Sequence, residues 1–179
     1  MARISPLAAL PPLAFAAIAG LFLSGMFRDD PDALPSTLEG QSAPHVEIEA
    51  LSGFAPITDG LLRASGPKLI NFWASWCAPC RVEHPQLMAL EAEGLAIFGV
   101  NFKDDPARAR QFLDRFGDPF EGVGVDPNGR MALDWGVYGV PETFVVDGMG
   151  KVILRYAGPV TDVVLKNRIR PALDKVLAE

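Results

Sequence analysis

Cys77 and Cys80 are the only two cysteines of the chain and stand in the order Cys-x-x-Cys. A pair at that spacing can open and close a disulfide. Where a helix begins at the pair, the first sulfur lies against the free N–H groups of the first turn and the positive end of the helix dipole, and both favour a thiolate. Cys77 is then the nucleophile, and Cys80, one turn further on, can reach back to release whatever Cys77 has captured. Spacing alone leaves two other uses open. Zinc needs four ligands, or three and a water, so a metal site would have to recruit both His45 and His84. An inert disulfide closing so short a loop restrains the unfolded chain little. Trp76 before the pair and Pro79 within it fit a redox motif better than either alternative.

Such a pair must be presented by a rigid strand and a following helix. Leu69, Ile70, Phe72 and Trp73 form a short apolar run that reads as a buried strand beginning at Lys68, and a helical pattern continues after the cysteines through Leu87, Leu90 and Glu91. Upstream, His45 to Leu51 alternates as a strand would, and Ser52 to Pro67 is broken into turns by Gly and Pro. Downstream, Leu95 to Phe102 reads as a second buried strand. Asp105 and Pro106 open a helix with Ala109, Phe112, Leu113 and Phe116 on one face, ended by Gly117. Glu121 to Val125 is a short strand and Asn128 to Trp135 a short helix. Glu142 to Val146 and Lys151 to Tyr156 make a hairpin. Thr161 caps a final helix to Ala178 that Pro171 bends or interrupts. Strands alternating with helices make the class α/β: a central mixed sheet flanked by helices, parallel where crossovers join neighbours and antiparallel at the terminal hairpin.

The 179 residues suit one domain after a membrane segment, and 49% hydrophobic residues suffice for a core. The net charge is -6. Setting aside Arg3 and Arg28 leaves 14 basic against 22 acidic residues, a balance of -8 that argues against nucleic acid as a partner. From Ile4 to Phe27 there are 24 residues without a charge, long enough to span a bilayer as a helix. Arg3 precedes the run, which weakly places the N-terminus in the cytoplasm and the globular part across the membrane. Ala14, Ala17 and Ala19 offer signal-peptidase patterns, but the apolar run continues past them to Phe27 and is longer than a usual signal core. Residues 1–28 thus read as an anchor, 29–40 as a polar tether and 41–179 as the folded domain.

The segment Asn71 to Cys80, NFWASWCAPC, resembles the active-site segment of the thioredoxin superfamily, with Pro85 where that family's helix carries its kinking proline. Val140-Pro141 is similar to the dipeptide whose proline is cis in the family and packs beside the cysteines. Such a turn exposes backbone groups with which an extended substrate strand can pair. The resemblance places Pro141 in the catalytic set and Trp76, Pro79 and Val140 at the substrate. It also puts Glu142, directly after that proline, and Glu83, three residues after Cys80, where both carboxylates approach the same sulfurs. Negative charge there opposes thiolate formation, and a carboxyl of raised pKa can pass protons to or from Cys80. Typical thioredoxins carry a buried Asp at the position of Asn71; Glu83 is its candidate replacement. A disfavoured thiolate destabilises the reduced form and makes the pair a reductant.

Three motifs together, WCAPCRVEHP (76–85), GVNFKDD (99–105) and YGVPETF (138–144), resemble the CcmG/DsbE family of cytochrome c biogenesis over nearly all of the chain. That resemblance implies a thioredoxin fold with an N-terminal extension, a helix and strand inserted around Asp105 to Val125, and a groove formed in part by Gly99 to Asp105. It implies a protein disulfide reductase, free of cofactor and metal, held by one transmembrane helix in the inner membrane with its domain in the periplasm. The client would be the CxxCH cysteines of apocytochrome c, reached directly or through a maturation partner, and the electron donor a membrane thiol reductase of the DsbD or CcdA type. A TlpA- or ResA-like reductant of other periplasmic clients is the nearest rival. A metal-binding chaperone using Cys77, Cys80 and His84 is another.

Overall fold

The computed structural model describes residues 10–26 and 37–178, which fall into two units, divided after Pro35. In the first, α1 (Leu10–Met26) is a 17-residue helix. Pro11 and Pro12 lie in its first turn, where a missing N–H costs no helical bond. Among the described residues no helix is long and apolar enough to cross a membrane. Both ends of the expected 4–27 span, and the tether up to residue 36, lie outside the described residues.

The second unit is built on one six-stranded sheet in the order β1-β4-β3-β2-β5-β6. Its strands are β1 (Glu49–Ala50), β2 (Lys68–Trp73), β3 (Ala96–Phe102), β4 (Gly122–Asp126), β5 (Glu142–Val146) and β6 (Val152–Ala157). The β2-β3 and β3-β4 pairs are parallel; the hairpin strands β5 and β6 and the edge strand β1 pair antiparallel. Every residue of β2 is buried, as a central strand covered on both faces requires. Its alternation divides the core. Leu69 and Trp73 face one apolar cluster with α3 (Ala78–Ala92), α4 (Pro106–Phe116) and Leu173 of the C-terminal helix; Ile70 and Phe72 face another with Leu62, with Met131 and Ala132 of the short α5 (Arg130–Asp134), and with Trp135. The result is three layers, the α/β arrangement expected.

The helices start where local chemistry allows. Asp105 caps α4 through the Ala107 and Arg108 N–H groups and Gly117 ends it, as expected. Two expectations need correction. The strand at 45–51 pairs only at Glu49 and Ala50, because Asp59 draws the preceding residues away from the ladder: its carboxylate accepts the Val46 N–H at 3.1 Å and meets His45 Nδ1 at 2.8 Å. The same Asp59 begins a one-turn helix, α2 (Asp59–Leu62), capped by Thr58, within the stretch read as turns only. Pro171 interrupts the final helix, as expected. The C-terminal helix divides upstream of it into α6 (Asp162–Val164), a wide π turn (Leu165–Ile169) and α7 (Arg170–Leu177). A proline ring cannot donate to the carbonyl four residues back and crowds it, so the wide turn falls on the residues before the ring.

Lys68 closes the end of the sheet away from the cysteines. It is 2% exposed, and its ammonium donates to the carbonyls of Ala64, Gly66 and Asp147 at 2.8 to 2.9 Å. Burial pushes its pKa down, while the Asp147 charge partly opposes this. Three segments, the loop after α2, the start of β2 and the β5-β6 turn, thus share one cation. Lys68→Met should leave those carbonyls without their donor and lower stability by about 3 kcal/mol in equilibrium urea unfolding; a loss below about 1 kcal/mol would mean that water replaces the ammonium.

Candidate active site

At its C-terminal end β2 hands the chain through Ala74–Trp76 to α3, and Cys77 is the cap of that helix: its sulfur accepts the Cys80 N–H at 3.1 Å. Cys77 and Cys80 are joined by a disulfide and are 3% and 2% exposed, so attack on them must come through a narrow approach. Once the bond is reduced, the same N–H and the helix end stabilise negative charge on Cys77. Pro79 is exposed in the first turn, and Trp76 is 57% exposed. Pro85 lies inside α3.

The turn before the pair is braced from the end of β3, by the 99–105 stretch that the resemblance placed in a groove. Asp104 accepts the Ser75 N–H at 2.6 Å, the Ser75 hydroxyl at 2.8 Å, Asn101 Nδ2 at 2.9 Å and the Asp105 N–H at 2.8 Å. The Trp76 indole donates to the Lys103 carbonyl at 3.1 Å, and Lys103 takes φ +44°, rare for a residue with a side chain. Gly99 lies under Trp73 and Phe120, where a Cβ would come within 2.9 Å of both side chains. The motif at 99–105 therefore supports the cysteine loop. The signal for Asp104 was its place just beyond a parallel strand adjacent to β2, at the strand ends where α/β sites form.

The second wall is the cis bond between Val140 and Pro141. The Val140 carbonyl lies 3.5 Å from Cys77 Sγ, a packing contact in the disulfide and an acceptor for the thiol once reduced. The Pro141 carbonyl is taken by the Gly158 N–H at 2.9 Å.

Glu83 lies three residues after Cys80 on the buried side of α3 and is fully buried. Its carboxyl accepts Asn71 Nδ2 at 2.8 Å and the Val160 N–H at 2.9 Å; Asn71 Nδ2 also reaches Thr143 Oγ1 at 3.0 Å. Burial raises its pKa from 4.5 to about 7, the two donors pulling the other way. Among the described residues Asn71 Oδ1 is buried without a partner, and rotating the amide would turn this acceptor toward a protonated Glu83.

Glu142 does not join it, contrary to the expectation that both acids approach the sulfurs. Asn71 lies opposite Thr143 and Phe72 opposite Glu142. Successive strand residues point to opposite faces, so Thr143 meets Asn71 on the cysteine side while Glu142 points away. Its Oε2 accepts Arg155 Nε at 2.7 Å, and its Oε1 accepts the N–H groups of Tyr138 and Gly139 at 2.9 and 3.3 Å.

His84, the third ligand of the metal-chaperone alternative, contacts the Gly117 carbonyl through Nε2 at 3.0 Å and meets the Phe112 ring edge-on, with burial lowering its pKa. Among the described residues no three His, Cys, Asp or Glu side chains are gathered as metal ligands.

The Redoxin family matches residues 38–170. The chain is 51% identical to the thiol:disulfide interchange protein HelX of Rhodobacter capsulatus over 168 residues, 94% of this chain and 96% of that one. It is 50% identical over 178 residues to the DsbE homolog of Paracoccus denitrificans, covering 99% of both. A solved Chlorobium tepidum structure assigned to the DsbE thiol:disulfide interchange proteins superposes with a TM-score of 0.63 at 31% identity, over 77% of this chain and 99% of that one.

The Glu83 carboxyl makes stability depend on pH. The folded chain keeps this proton up to about pH 7 and the unfolded chain releases it near 4.5. Between those values the folded state binds more protons, so stability falls as pH rises through the window and levels off above it. Glu83→Gln should remove that slope. Relative to wild type it should gain on the order of 2 kcal/mol between pH 5 and pH 8 in urea unfolding of the disulfide form; parallel profiles for the two proteins would show that Glu83 titrates normally.

Proposed function

The chain belongs to the Redoxin family, among the DsbE-type thiol:disulfide interchange proteins of the thioredoxin superfamily, and from that premise we propose that it is a periplasmic reductant of apocytochrome c. It is a thiol:disulfide oxidoreductase with Cys77 and Cys80 as its redox pair. In the proposed direction the Cys77 thiolate attacks one sulfur of the client's CxxCH disulfide. The client's other sulfur leaves as a thiolate, and a mixed disulfide forms. Cys80 then attacks Cys77 Sγ, the client's second sulfur leaves, and two electrons have passed from the pair to the client.

The observation that carries this direction is the buried Glu83 carboxyl one turn beyond Cys80. Cys80 must lose its proton to attack, and a carboxyl with a pKa of about 7 on the same helix side is suited to accept it. When ionised, it also opposes a neighbouring thiolate and so favours the disulfide over the dithiol. The donors' side is a membrane thiol reductase of the DsbD or CcdA type, which would restore the dithiol after each turnover. The uncharged run from Ile4 to Phe27, preceded by Arg3, supports an inner-membrane anchor with the domain outside. Trp76, Pro79 and Val140 form the surface on which the client strand would lie, and Pro141, buried next to Val140, shapes it.

Trapping tests the client. Cys80→Ala should accumulate mixed disulfides through Cys77 with an apocytochrome c or a maturation partner in periplasmic extracts, and Cys77→Ser with Cys80→Ala should accumulate none. Adducts confined to other proteins, such as a copper-site assembly factor, would move the function to the TlpA- or ResA-like alternative.

A further inference from the structure

Arg155, on β6, takes no part in the exchange chemistry above, yet it organises one wall of the site. Its Nε donates to Glu142 Oε2 at 2.7 Å and its Nη2 to the Gly136 carbonyl at 2.8 Å, while the guanidinium lies 5.0 Å from the centre of the Tyr138 ring. The two side chains of the ion pair are 9% and 1% exposed. Arg155 lies opposite Phe144, so it reaches Glu142 along the diagonal on the same face of the hairpin. Glu39 accepts the Arg155 N–H at 2.9 Å and secures the strand from which the guanidinium extends.

Glu142 converts that ion pair into backbone geometry, since its other oxygen holds the N–H groups of Tyr138 and Gly139. The next residue is Val140, whose carbonyl lies against Cys77 Sγ. Removing two charges from water largely offsets their attraction, so a buried pair of this kind adds little net stability compared with apolar residues of the same size. What it does add is a fixed position. A planar guanidinium can grip the carboxylate, a carbonyl and a ring face together, which a lysine ammonium cannot. Tyr138 is held from the Arg155 side and is 62% exposed.

We propose that Arg155 is a positioning residue for polypeptide disulfides: through Glu142 it holds the 136–140 loop so that Val140 and the exposed Tyr138 ring receive the strand carrying the substrate cysteine. This rests on the disulfide-exchange reading above and adds to it the part of the protein that distinguishes a polypeptide from a small disulfide.

The test compares two oxidised probes with the reduced full-length chain: a disulfide-bonded Cys-x-x-Cys-His peptide, and bis(2-hydroxyethyl) disulfide, which has no backbone to pair. Arg155→Met should lower the ratio of the peptide rate constant to the small-disulfide rate constant by about tenfold, chiefly through the KM for peptide. Arg155→Lys should recover part of the ratio. Glu142→Gln combined with Arg155→Met should exceed Arg155→Met alone, because no buried carboxylate is left unpaired. If Arg155→Met does not fold, the lysine and double variants carry the comparison. A ratio unchanged across the variants, or one lowered through kcat alone, overturns the proposal. A wild-type chain that reduces the small disulfide but not the peptide would instead defeat the polypeptide-reductase reading, and this proposal with it.

Discussion

Asn71 stands opposite Thr143 and Phe72 opposite Glu142, and nearly everything about the charge around the sulfurs follows from that register between β2 and β5. Because side chains alternate, the two strands send Asn71 and Thr143 to the helix that carries the cysteines and Glu142 to the other face. Slipping the pairing by one residue would exchange these sets and place a charged group where Glu83 already lies. Val145, Leu69 and Trp73 on one side, and Phe144, Ile70 and Phe72 on the other, bury enough apolar surface to make such a slip costly. The register is thus set by packing, and the chemistry inherits it.

Within that frame the two acids have separate tasks. Glu83 is buried near the pair with no cation beside it among the described residues, so its charge is set by desolvation and by the Asn71 and Val160 donors. This is the condition under which a carboxyl holds and releases a proton near neutrality. Glu142 is buried just as completely but faces Arg155 and two backbone donors, an arrangement that holds the loop in place. Both walls of the site are organised alike, a carboxylate gathering several donors: Asp104 gathers the turn that leads into Cys77, and Glu142 gathers the turn that leads into Pro141. The sulfurs lie between two such braced turns, at the start of a helix that Cys77 itself caps.

Most of the elements were readable from local pattern. The apolar run 69–73, the caps at Asp105 and Thr161, and the amphipathic face of α4 each arise from residues close in the chain, and the structure has them. What local pattern did not show depended on partners distant in the chain. Asp59 captures His45 and Val46, 14 and 13 residues away, and shortens the first strand. Lys68 gathers a carbonyl 79 residues on, and no periodicity announces a buried lysine. Ser75 and Asp104 meet only because β2 and β3 end side by side.

The sequence by itself determined that there is one redox pair, that it opens a helix after a buried strand, and that the fold is an α/β sheet with a terminal hairpin, because spacing, capping and hydrophobic period are local properties. Whether a carboxylate near that pair in the chain is also near it in space was decided by the tertiary structure alone. Glu83 and Glu142 looked alike as letters beside a motif; a helical step of three brings the first to the side of Cys80, while the parity of a strand turns the second toward Arg155. Desolvation and partner charge act through space, so the surroundings of the two carboxyls could be told apart only once the sheet was assembled.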